Sequence, residues 1–271
     1  MARLFSFRVG DPEGADGVIA TPADRIDAAF LDRVGPQLKV VANFAVGVDN
    51  LDLAAAAERD VVVTNTPDVL TVATAELAIA LMLSLLRRVV EGDRLIRRGE
   101  PWTWSTTFML GRGLAGLRLG IVGMGRIGSA TASLAEAHGM EVTSCRELEG
   151  IETVDVLSLH CPSTPKTRHL IDAAALARMK PTAVLVNTAR GAIVDEVALA
   201  EALVHGTIAG ATLDVYEHEP EVAPALLDLD NVVLSPHLGG ATAEVRHAMG
   251  MLCVDALRAV LLEGRQPANA L

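Results

Sequence analysis

The sequence predicts an α/β protein with a doubly wound parallel sheet. Three observations carry this prediction: short apolar runs alternate with helical stretches, several of the runs are apolar throughout, and a glycine-rich turn joins one run to a helix. Strands that are apolar throughout are buried on both faces, as in a parallel sheet covered by helices. Alternating strands and helices are typical of doubly wound architecture.

The predicted strands are apolar runs bounded by turn residues. In chain order they are Arg3–Val9, Gly17–Ala20, Leu38–Asn43, Val61–Thr64, Arg118–Gly123, Glu141–Cys145, Val154–His160, Ala183–Asn187, Gly210–Val215 and Val232–Ser235.

Two predicted helices differ from the rest because they are apolar almost all round: Thr74–Val90 and Ala243–Leu262. A helix without a polar face is buried between layers or domains. We therefore interpret them as the two crossings between an outer domain, residues 1–91 plus 239–271, and a central domain, residues 92–238. The segment Glu91–Leu110, which contains PWTW, is predicted to be an irregular arm.

Composition excludes several classes of protein. The net charge of -11 argues against nucleic acid or an anionic membrane as a partner. Cys145, Cys161 and Cys253 lack CxxC spacing, so neither a disulfide framework nor a metal site is expected. The most apolar run, Leu77–Leu86, is too short to span a bilayer, and no signal sequence opens the chain. A cytoplasmic location is therefore predicted.

The stretch GIVGMGRIG places Gly123, Gly125 and Gly128 between a predicted strand and an Ala-rich helix. In a dinucleotide-binding unit the first glycine makes the tight turn, the second lets the backbone approach a pyrophosphate, and the third lets the helix pack on the strand. Amide donors at the helix N-terminus then face the phosphates. This context favours dinucleotide binding, with a Rossmann-like central domain, over an ordinary strand–helix turn, which stays open.

The second strand of this unit runs into Arg146, where an acidic residue is expected about 20 residues after the glycines to hold the adenosine ribose. An arginine there would instead attract a 2′-phosphate. The sequence therefore favours NADP(H) over NAD(H). The alternative is a solvated Arg146, with Glu147 or Glu149 taking the ribose.

Three polar residues follow three separate predicted strands. Arg190 comes after AVLVNTA, Glu219 after TLDVYEH and His237 after VVLSP. The carboxyl ends of parallel strands face the ligand crevice, so these side chains could converge there. A guanidinium binds a carboxylate or carbonyl through paired hydrogen bonds. A carboxylate beside a histidine orients the imidazole ring and favours its protonated form. The three roles together indicate a catalytic site, although each residue alone has an ordinary surface explanation.

A series of motifs extends over residues 38–271: LKVVANFAVGVDNLDLAAA, VVVTNTPDVLTVATAE, LGIVGMGRIG, VLSLHCPSTPKTRHLI, LVNTARGAIVDE, ATLDVYEHEP and VVLSPHLGG. In this order they resemble the D-isomer-specific 2-hydroxyacid dehydrogenases, most closely the glyoxylate/hydroxypyruvate reductase branch. The resemblance implies that the outer domain is a split, flavodoxin-like substrate domain, here shortened. It also implies hydride transfer between a nicotinamide cofactor and a small 2-keto acid.

The resemblance assigns individual roles. Arg190, Glu219 and His237 would be the catalytic trio, and the amides of Val46 and Gly47 would join Arg190 in binding the substrate carboxylate. Asp214 would contact the nicotinamide carboxamide, and Cys161, Pro162 and Thr188 would line the cofactor channel. The full predicted cofactor-binding set is Thr74, Gly123, Gly125, Arg126, Ile127, Gly128, Arg146, Cys161, Pro162, Thr188 and Asp214.

Related chemistries differ at single positions. Formate dehydrogenases pair the histidine with glutamine, and Glu219 argues against them; phosphite dehydrogenases carry a lysine about where Val46 stands. The branch places aromatic residues near Trp102 and Trp104 that reach the partner subunit, so a homodimer is expected, although simple packing of both tryptophans stays open. A corepressor-like NAD-binding member, or a truncated inactive one, is the alternative function.

The connection from Arg146 to the strand that begins near Val154 is only ELEGIET. It must cross from the top of one strand to the bottom of another two places away, a gap of roughly 20 Å. Eight extended steps reach about 26 Å, whereas a helical crossover takes a dozen residues or more. Either the enzyme is compacted and lacks an edge strand, or segments are missing from the sequence here. The unpaired edge favours the second alternative slightly.

Overall fold

The computed structural model describes residues 8–271. Within it the chain divides into two compact units. The first comprises the chain up to Val69 together with Thr242–Leu271, and the second is Leu70–Ala241.

The strands and helices alternate along almost the whole described chain. The strands are β1 Gly17–Ala20, β2 Val40–Asn43, β3 Val62–Thr64, β4 Arg118–Val122, β5 Glu141–Ser144, β6 Val156–Leu159, β7 Val184–Asn187, β8 Gly210–Leu213 and β9 Val232–Leu234. The α-helices are α1 Ala28–Val34, α2 Leu53–Ala57, α3 Thr71–Leu86, α4 Val89–Arg97, α5 Arg126–Ala137, α6 Ala173–Arg178, α7 Glu196–Val204, α8 Pro224–Leu227 and α9 Ala243–Leu261.

The first unit is built on a parallel sheet in the order β1-β2-β3. All four residues of β2 are buried, as expected for a strand covered on both faces. Cys253 and Leu257 of α9 pack on one face against Val40. A Cβ on Gly17 would lie 2.7 Å from the Leu257 side chain, so glycine at this position allows α9 to approach β1 closely.

The second unit holds a parallel sheet in the order β5-β4-β6-β7-β8-β9. Side chains of β4, β6 and β7 that point to one face pack with α3 and α5, as Ile121 and Val186 do. Side chains that point to the other face, such as Leu157 and Leu185, pack with α6 and α7. Helices on both faces make this a doubly wound sheet, which confirms the predicted fold class.

Every predicted strand from Gly17–Ala20 onward contains an observed strand. The predicted strand Arg3–Val9 lies outside the described residues except for Arg8 and Val9, which are not in a strand. The domain division differs from the predicted boundary after residue 91, because α3 packs its Ala78 and Met82 into the core of the second unit. The second boundary falls at Thr242 and not at residue 239.

The predicted irregular arm, Glu91–Leu110, was wrong in its first part, because α4 continues to Arg97. Salt bridges between Arg97 and Asp93 and between Arg88 and Glu91 join positions one turn apart on this helix. Gly99 follows with a positive φ of 66° and ends the helix. The irregular part of the arm is therefore residues 100–110.

The short connection between β5 and β6 forms a tight turn at Arg146–Leu148, with Glu147 and Leu148 at positive φ, and a 3-10 turn at Ile151–Thr153. The side chains of Leu148 and Ile151 are buried in the same core as β6. Arg178 of α6 donates a hydrogen bond of 2.9 Å to the Leu148 carbonyl and so fixes the connection from outside. The residues present close the crossing and leave β5 at the sheet edge.

No helix in the described part of the chain is both long and apolar enough to cross a membrane.

Candidate active site

The predicted catalytic residues follow three neighbouring strands at the same edge of the second sheet. Arg190 follows β7, Glu219 follows β8 and His237 follows β9. Because these strands are adjacent and parallel, their carboxyl ends bring the three loops together.

Glu219 and His237 form a direct pair. The Nδ1 atom of His237 lies 2.7 Å from Oε2 of Glu219, and the N–H of Tyr216 donates to the other carboxylate oxygen at 2.9 Å. The backbone of His237 has a φ of 53°, in the left-handed region that few non-glycine residues adopt. Its N–H donates to the Asp214 carbonyl at 2.8 Å, which holds the turn in this conformation.

The charge state of Glu219 follows from its neighbours. Burial acts to raise the pKa of Glu219, but the hydrogen bonds from His237 and the Tyr216 N–H, together with the charges of His237 and Arg190, outweigh it and lower the pKa. Glu219 is therefore a carboxylate near neutral pH, ready to stabilise a protonated His237.

Arg190 is placed by a turn that Asn187, at the end of β7, organises. The buried amide of Asn187 donates to the Arg190 carbonyl at 2.9 Å and accepts from the Ala189 N–H at 3.0 Å. The Arg190 guanidinium donates to the Ala189 carbonyl at 2.7 Å, and its charge acts on Glu219. The structure thus places Arg190, Glu219 and His237 close enough together for their charges to interact.

Asp214, predicted to contact the nicotinamide carboxamide, is fully buried beneath the His237 loop. Its carboxylate accepts hydrogen bonds from the Ser235 hydroxyl at 2.6 Å, the Leu238 N–H at 2.8 Å and the Gly239 N–H at 2.9 Å. A carboxylate has about four acceptor positions, so a further donor from a cofactor is compatible with these bonds. The cofactor contact stays a prediction, whereas the support of the His237 loop is observed.

The glycine-rich turn has the geometry that a pyrophosphate needs. A Cβ on Gly123 would lie 2.6 Å from the Cys161 N, and one on Gly128 would lie 2.2 Å from the Gly123 carbonyl, so both positions require glycine. A Cβ on Gly125 would meet no described atom within 4 Å, so the backbone there is open to a ligand. Gly125, the N-cap of α5, has no side chain to cap the helix, and the amides at a helix N-terminus are suited to bind an anion.

The predicted cofactor channel continues along the sheet edge from this turn. The Thr188 hydroxyl is buried and has no hydrogen-bond partner among the described residues, as expected for a group whose partner is a bound ligand. Burial raises the pKa of the Cys161 thiol, so it presents a neutral surface beside exposed Pro162. Thr74 donates to the Gly239 carbonyl at 3.0 Å and is buried, so its observed contact is with the loop after His237.

Arg146 is exposed at the carboxyl end of β5, beside the β4 strand that leads into the glycine-rich turn. Glu147 and Glu149, the alternative partners of the ribose, are exposed on the same connection. The sheet edge therefore offers a cation and two carboxylates to the adenosine end of a dinucleotide.

The predicted substrate-binding amides, Val46 and Gly47, belong to the first unit and follow β2. Asn65 donates to the Val46 carbonyl and Asn43 donates to the Gly47 carbonyl, both at 2.9 Å. These two amide side chains fix the peptide planes of the loop, and so the directions of its N–H groups.

Several residues that shape the site were not singled out from the sequence. Asn187 and Tyr216 fix the Arg190 and Glu219 turns, and Glu196 binds the loop that carries Glu219. The signal for Asn187 was a polar residue at the end of an otherwise apolar strand. No sequence pattern indicates the role of Glu196. An acidic residue at the start of a helix such as α7 is already expected from the helix dipole.

A separate cavity among the described residues lies apart from this site. A cavity of about 410 Å³ lies at the amino ends of β7 and β9, between Arg88, Arg112 and Val232, and is lined by none of the predicted site residues. No group of three or more His, Cys, Asp or Glu residues in the described chain is placed to hold a metal ion.

Comparison with known proteins decides the family. Residues 79–239 match the model of the NAD-binding domain of the D-isomer specific 2-hydroxyacid dehydrogenases. This match covers more than half of the chain and contains the glycine-rich turn and all three catalytic candidates. The chain belongs to this family. It is accordingly an NAD(P)-dependent dehydrogenase, as the resemblance predicted.

Individual relatives are similar over nearly the whole chain. A glyoxylate reductase of Thermococcus litoralis is 44% identical over 276 residues, which cover 94% of this chain and 82% of the relative. A solved structure of a Thermus thermophilus protein has a TM-score of 0.91 and 47% identity, covering 96% of this chain and 86% of that one. An NADPH-dependent glyoxylate/hydroxypyruvate reductase of Sinorhizobium meliloti, solved with NADP and malonate, has a TM-score of 0.83 and 38% identity, covering 94% and 83%.

The alignment with the Thermococcus relative is longer than this 271-residue chain, so that relative has internal residues without a counterpart here. The comparisons give no support to the alternative of a truncated, inactive member.

Proposed function

We propose that the protein reduces glyoxylate, or hydroxypyruvate, to the corresponding 2-hydroxy acid, with Arg190, Glu219 and His237 as its catalytic residues. The observation that carries the proposal is the 2.7 Å bond between Glu219 and His237 Nδ1, with Arg190 in electrostatic reach, at the same sheet edge as the glycine-rich turn. The names of the relatives support the choice of substrate.

A bound nicotinamide cofactor would supply the hydride. Because Nδ1 of His237 is engaged by Glu219, Nε2 is the ring nitrogen left to give a proton to the substrate oxygen as it becomes an alkoxide. The carboxylate of Glu219 stabilises the imidazolium before that transfer. Arg190 would bind the substrate carbonyl and carboxylate, and the Val46 and Gly47 amides keep their predicted role as donors to the carboxylate.

The cofactor would lie along the sheet edge, held by the residues that fit it. The pyrophosphate would sit at Gly125 and the first amides of α5, and the hydroxyl of Thr188 would gain the partner that it lacks among the described residues. Asp214 would hold the nicotinamide carboxamide, and Cys161, Pro162 and Thr74 would complete the channel.

Within this proposal NADPH is preferred over NADH. The supporting observation is that Arg146 is exposed at the end of β5, where a guanidinium can pair with a 2′-phosphate. The Sinorhizobium relative, described as NADPH-dependent and solved with NADP, supports the same choice.

A homodimer is also part of the proposal. Trp102 and Trp104 of the arm are 52% and 76% exposed, and such large aromatic surfaces are typical of interfaces. The Trp102 ring stacks on Phe108, with ring centroids 6.0 Å apart, which gives the arm a fixed aromatic surface. A cytoplasmic location stays a prediction from the sequence.

The test is a substrate panel followed by the absorbance of the reduced cofactor. Glyoxylate, hydroxypyruvate, pyruvate, phenylpyruvate and a long-chain keto acid are each assayed with NADPH and with NADH. The highest kcat/KM is expected for glyoxylate or hydroxypyruvate. A higher value for phenylpyruvate or the long-chain acid would overturn the substrate assignment, and turnover of none of them would overturn the proposed activity.

A further inference from the structure

A second cluster of charged residues lies beneath the loop that carries Glu219. Its centre is Glu217, two residues before Glu219, with a side chain that is only 11% exposed. The Glu217 carboxylate accepts from His169 Nε2 at 2.8 Å and from the Arg168 guanidinium at 2.7 Å. Burial acts to raise the pKa of Glu217, but these two partners outweigh it and lower the pKa, so the group is a buried anion.

A second carboxylate holds the backbone of the same loop. Glu196, at the start of α7, is 6% exposed and accepts from the Glu217 N–H at 2.7 Å. Glu196 therefore binds the loop two residues before Glu219, and the nearby backbone of Ala223 also acts to lower its pKa. Burial is the main influence on Glu196 and raises its pKa. Burying a carboxylate is costly unless it is hydrogen-bonded, so the bond from the Glu217 N–H ties the loop to the start of α7.

The loop that Glu217 and Glu196 bind also contacts the turn after Arg190. A Cβ on Gly191 would lie within 2.0 Å of the Tyr216 carbonyl, so the chain after Arg190 touches the loop before Glu219. His169 donates its N–H to the Ala192 carbonyl at 2.8 Å, and its own φ is 48°. Left-handed backbone at a non-glycine residue persists only where its surroundings fix it, and here they include the Glu217 carboxylate.

We propose that Glu217 and Glu196 are positioning residues: they fix the loop 216–223 so that Glu219 meets both His237 and the Tyr216 N–H. The proposal rests on the proposed function only for its kinetic consequence, because the hydrogen bond between Glu219 and His237 exists whatever the substrate. Neither carboxylate touches the reacting atoms, so neither is a catalytic residue.

The groups that face this cluster come from three loops. Arg168 and His169 come from the loop after β6, Asp195 from the Arg190 loop, with its carboxylate 3.9 Å from His169 Nδ1, and His218 from the Glu219 loop. Loss of the Glu217 carboxylate would leave Arg168 and His169 without the partner that they share, and would let the loop shift. Glu219 would then lose part of its hydrogen bonding and would take up a proton at higher pH.

The experiment compares Glu217→Ala with Glu217→Gln, which keeps an acceptor for His169 and Arg168. The matched control is Glu221→Ala, an exposed carboxylate in the same loop. For Glu217→Ala we expect kcat to fall roughly ten- to hundredfold, since a small displacement of a catalytic group has about that effect. The acid limb of the kcat/KM profile is expected to move to higher pH, and Glu217→Gln to restore part of both changes. Glu221→Ala is expected to match the wild type.

A second readout is independent of turnover. We expect the ring N–H proton of His237, bonded to Glu219, to give a downfield NMR signal, which is assigned by its loss in His237→Ala. We expect this signal to move upfield in Glu217→Ala and in Glu196→Gln, and to stay in the control Glu201→Gln, an exposed carboxylate on the same helix.

Folded Glu217→Ala with an unchanged His237 signal and an unchanged pH profile would overturn the proposal. If that variant does not fold, His169→Ala and Glu196→Gln carry the same test, judged by the same signal. A wild type that reduces no keto acid but whose His237 signal depends on Glu217 would overturn the proposed function and leave the positioning role intact.

Discussion

The two ends of the predicted cofactor channel are built in different ways. At the catalytic end, Asp214 and Glu219 are each bound by several donors, and the loop carrying His237 is fixed by buried hydrogen bonds. At the adenosine end, Arg146 is exposed, and Glu147 and Leu148 adopt positive φ values of 51° and 63° on a connection with few residues. At the catalytic end, hydrogen bonds between side chains and loops fix the geometry. At the adenosine end, the path of the backbone across the sheet fixes it.

This difference predicts where substitutions act. At the catalytic end a change should alter chemistry strongly and cofactor binding weakly, because the groups are fixed around one reacting position. At the adenosine end a change should alter affinity or stability and leave the chemical step nearly intact.

The largest effect is expected at His237. Replacing it with Ala should lower kcat about 10²–10⁴-fold, the usual contribution of a positioned acid, and leave NADPH affinity nearly unchanged. The measurement is steady-state turnover of glyoxylate, with cofactor affinity determined by fluorescence titration. His205→Ala, an exposed histidine at the end of α7, is the control. Turnover like the wild type in His237→Ala would remove this residue from the mechanism.

Glu219→Gln should change the pH dependence of the reaction. The lowered pKa of Glu219 means that its negative charge is present at neutral pH and is lost only as the pH falls through that lowered value. Gln removes this titration, and it also removes the charge that favours imidazolium. Loss of the Glu219 charge should therefore change the pH–rate profile of the reduction. An identical profile in both proteins would show that the contact has no part in catalysis.

Arg146→Ala tests the adenosine end and should have a smaller effect. Loss of a charge-assisted contact with a 2′-phosphate is expected to lower kcat/KM for NADPH roughly tenfold and to leave the value for NADH nearly unchanged. Glu147→Gln and Glu149→Gln are the matched variants, because they would weaken NADH use if a glutamate held the ribose. A wild type that clearly prefers NADH would refute the cofactor assignment before any variant is made.

The same contrast explains what the sequence could predict. The strands were predictable because apolar runs such as VLSL and VLVN are bounded by turn residues. The convergence of Arg190, Glu219 and His237 was predictable because each follows one of three parallel strands. The role of Glu196 was not predictable, because it depends on a contact with Glu217 about 20 residues away that follows no local pattern. Helix α4 was missed because Gly99 and Pro101 suggested an irregular segment, whereas they only end the helix.

The smallest expected effect concerns the compact connection itself. Arg178 donates to the carbonyl of Leu148 at 2.9 Å and lies 3.3 Å from the Glu152 carboxylate. Since its side chain is 49% exposed, the ion pair contributes little, and most of the effect should come from the hydrogen bond to the carbonyl. Arg178→Met keeps the aliphatic length and is expected to lower the free energy of unfolding by about 1 kcal/mol.

Thermal and urea unfolding of Arg178→Met and Glu152→Gln separate the two contributions. Glu152→Gln removes only the ion pair and should unfold like the wild type, whereas Arg178→Met should lower Tm by about 2–4 °C. If Glu152→Gln were the more damaging change, the connection would be held by charge and not by the buried carbonyl. In both variants kcat should stay within about twofold of the wild type, because the groups around His237 hold one another without help from this connection.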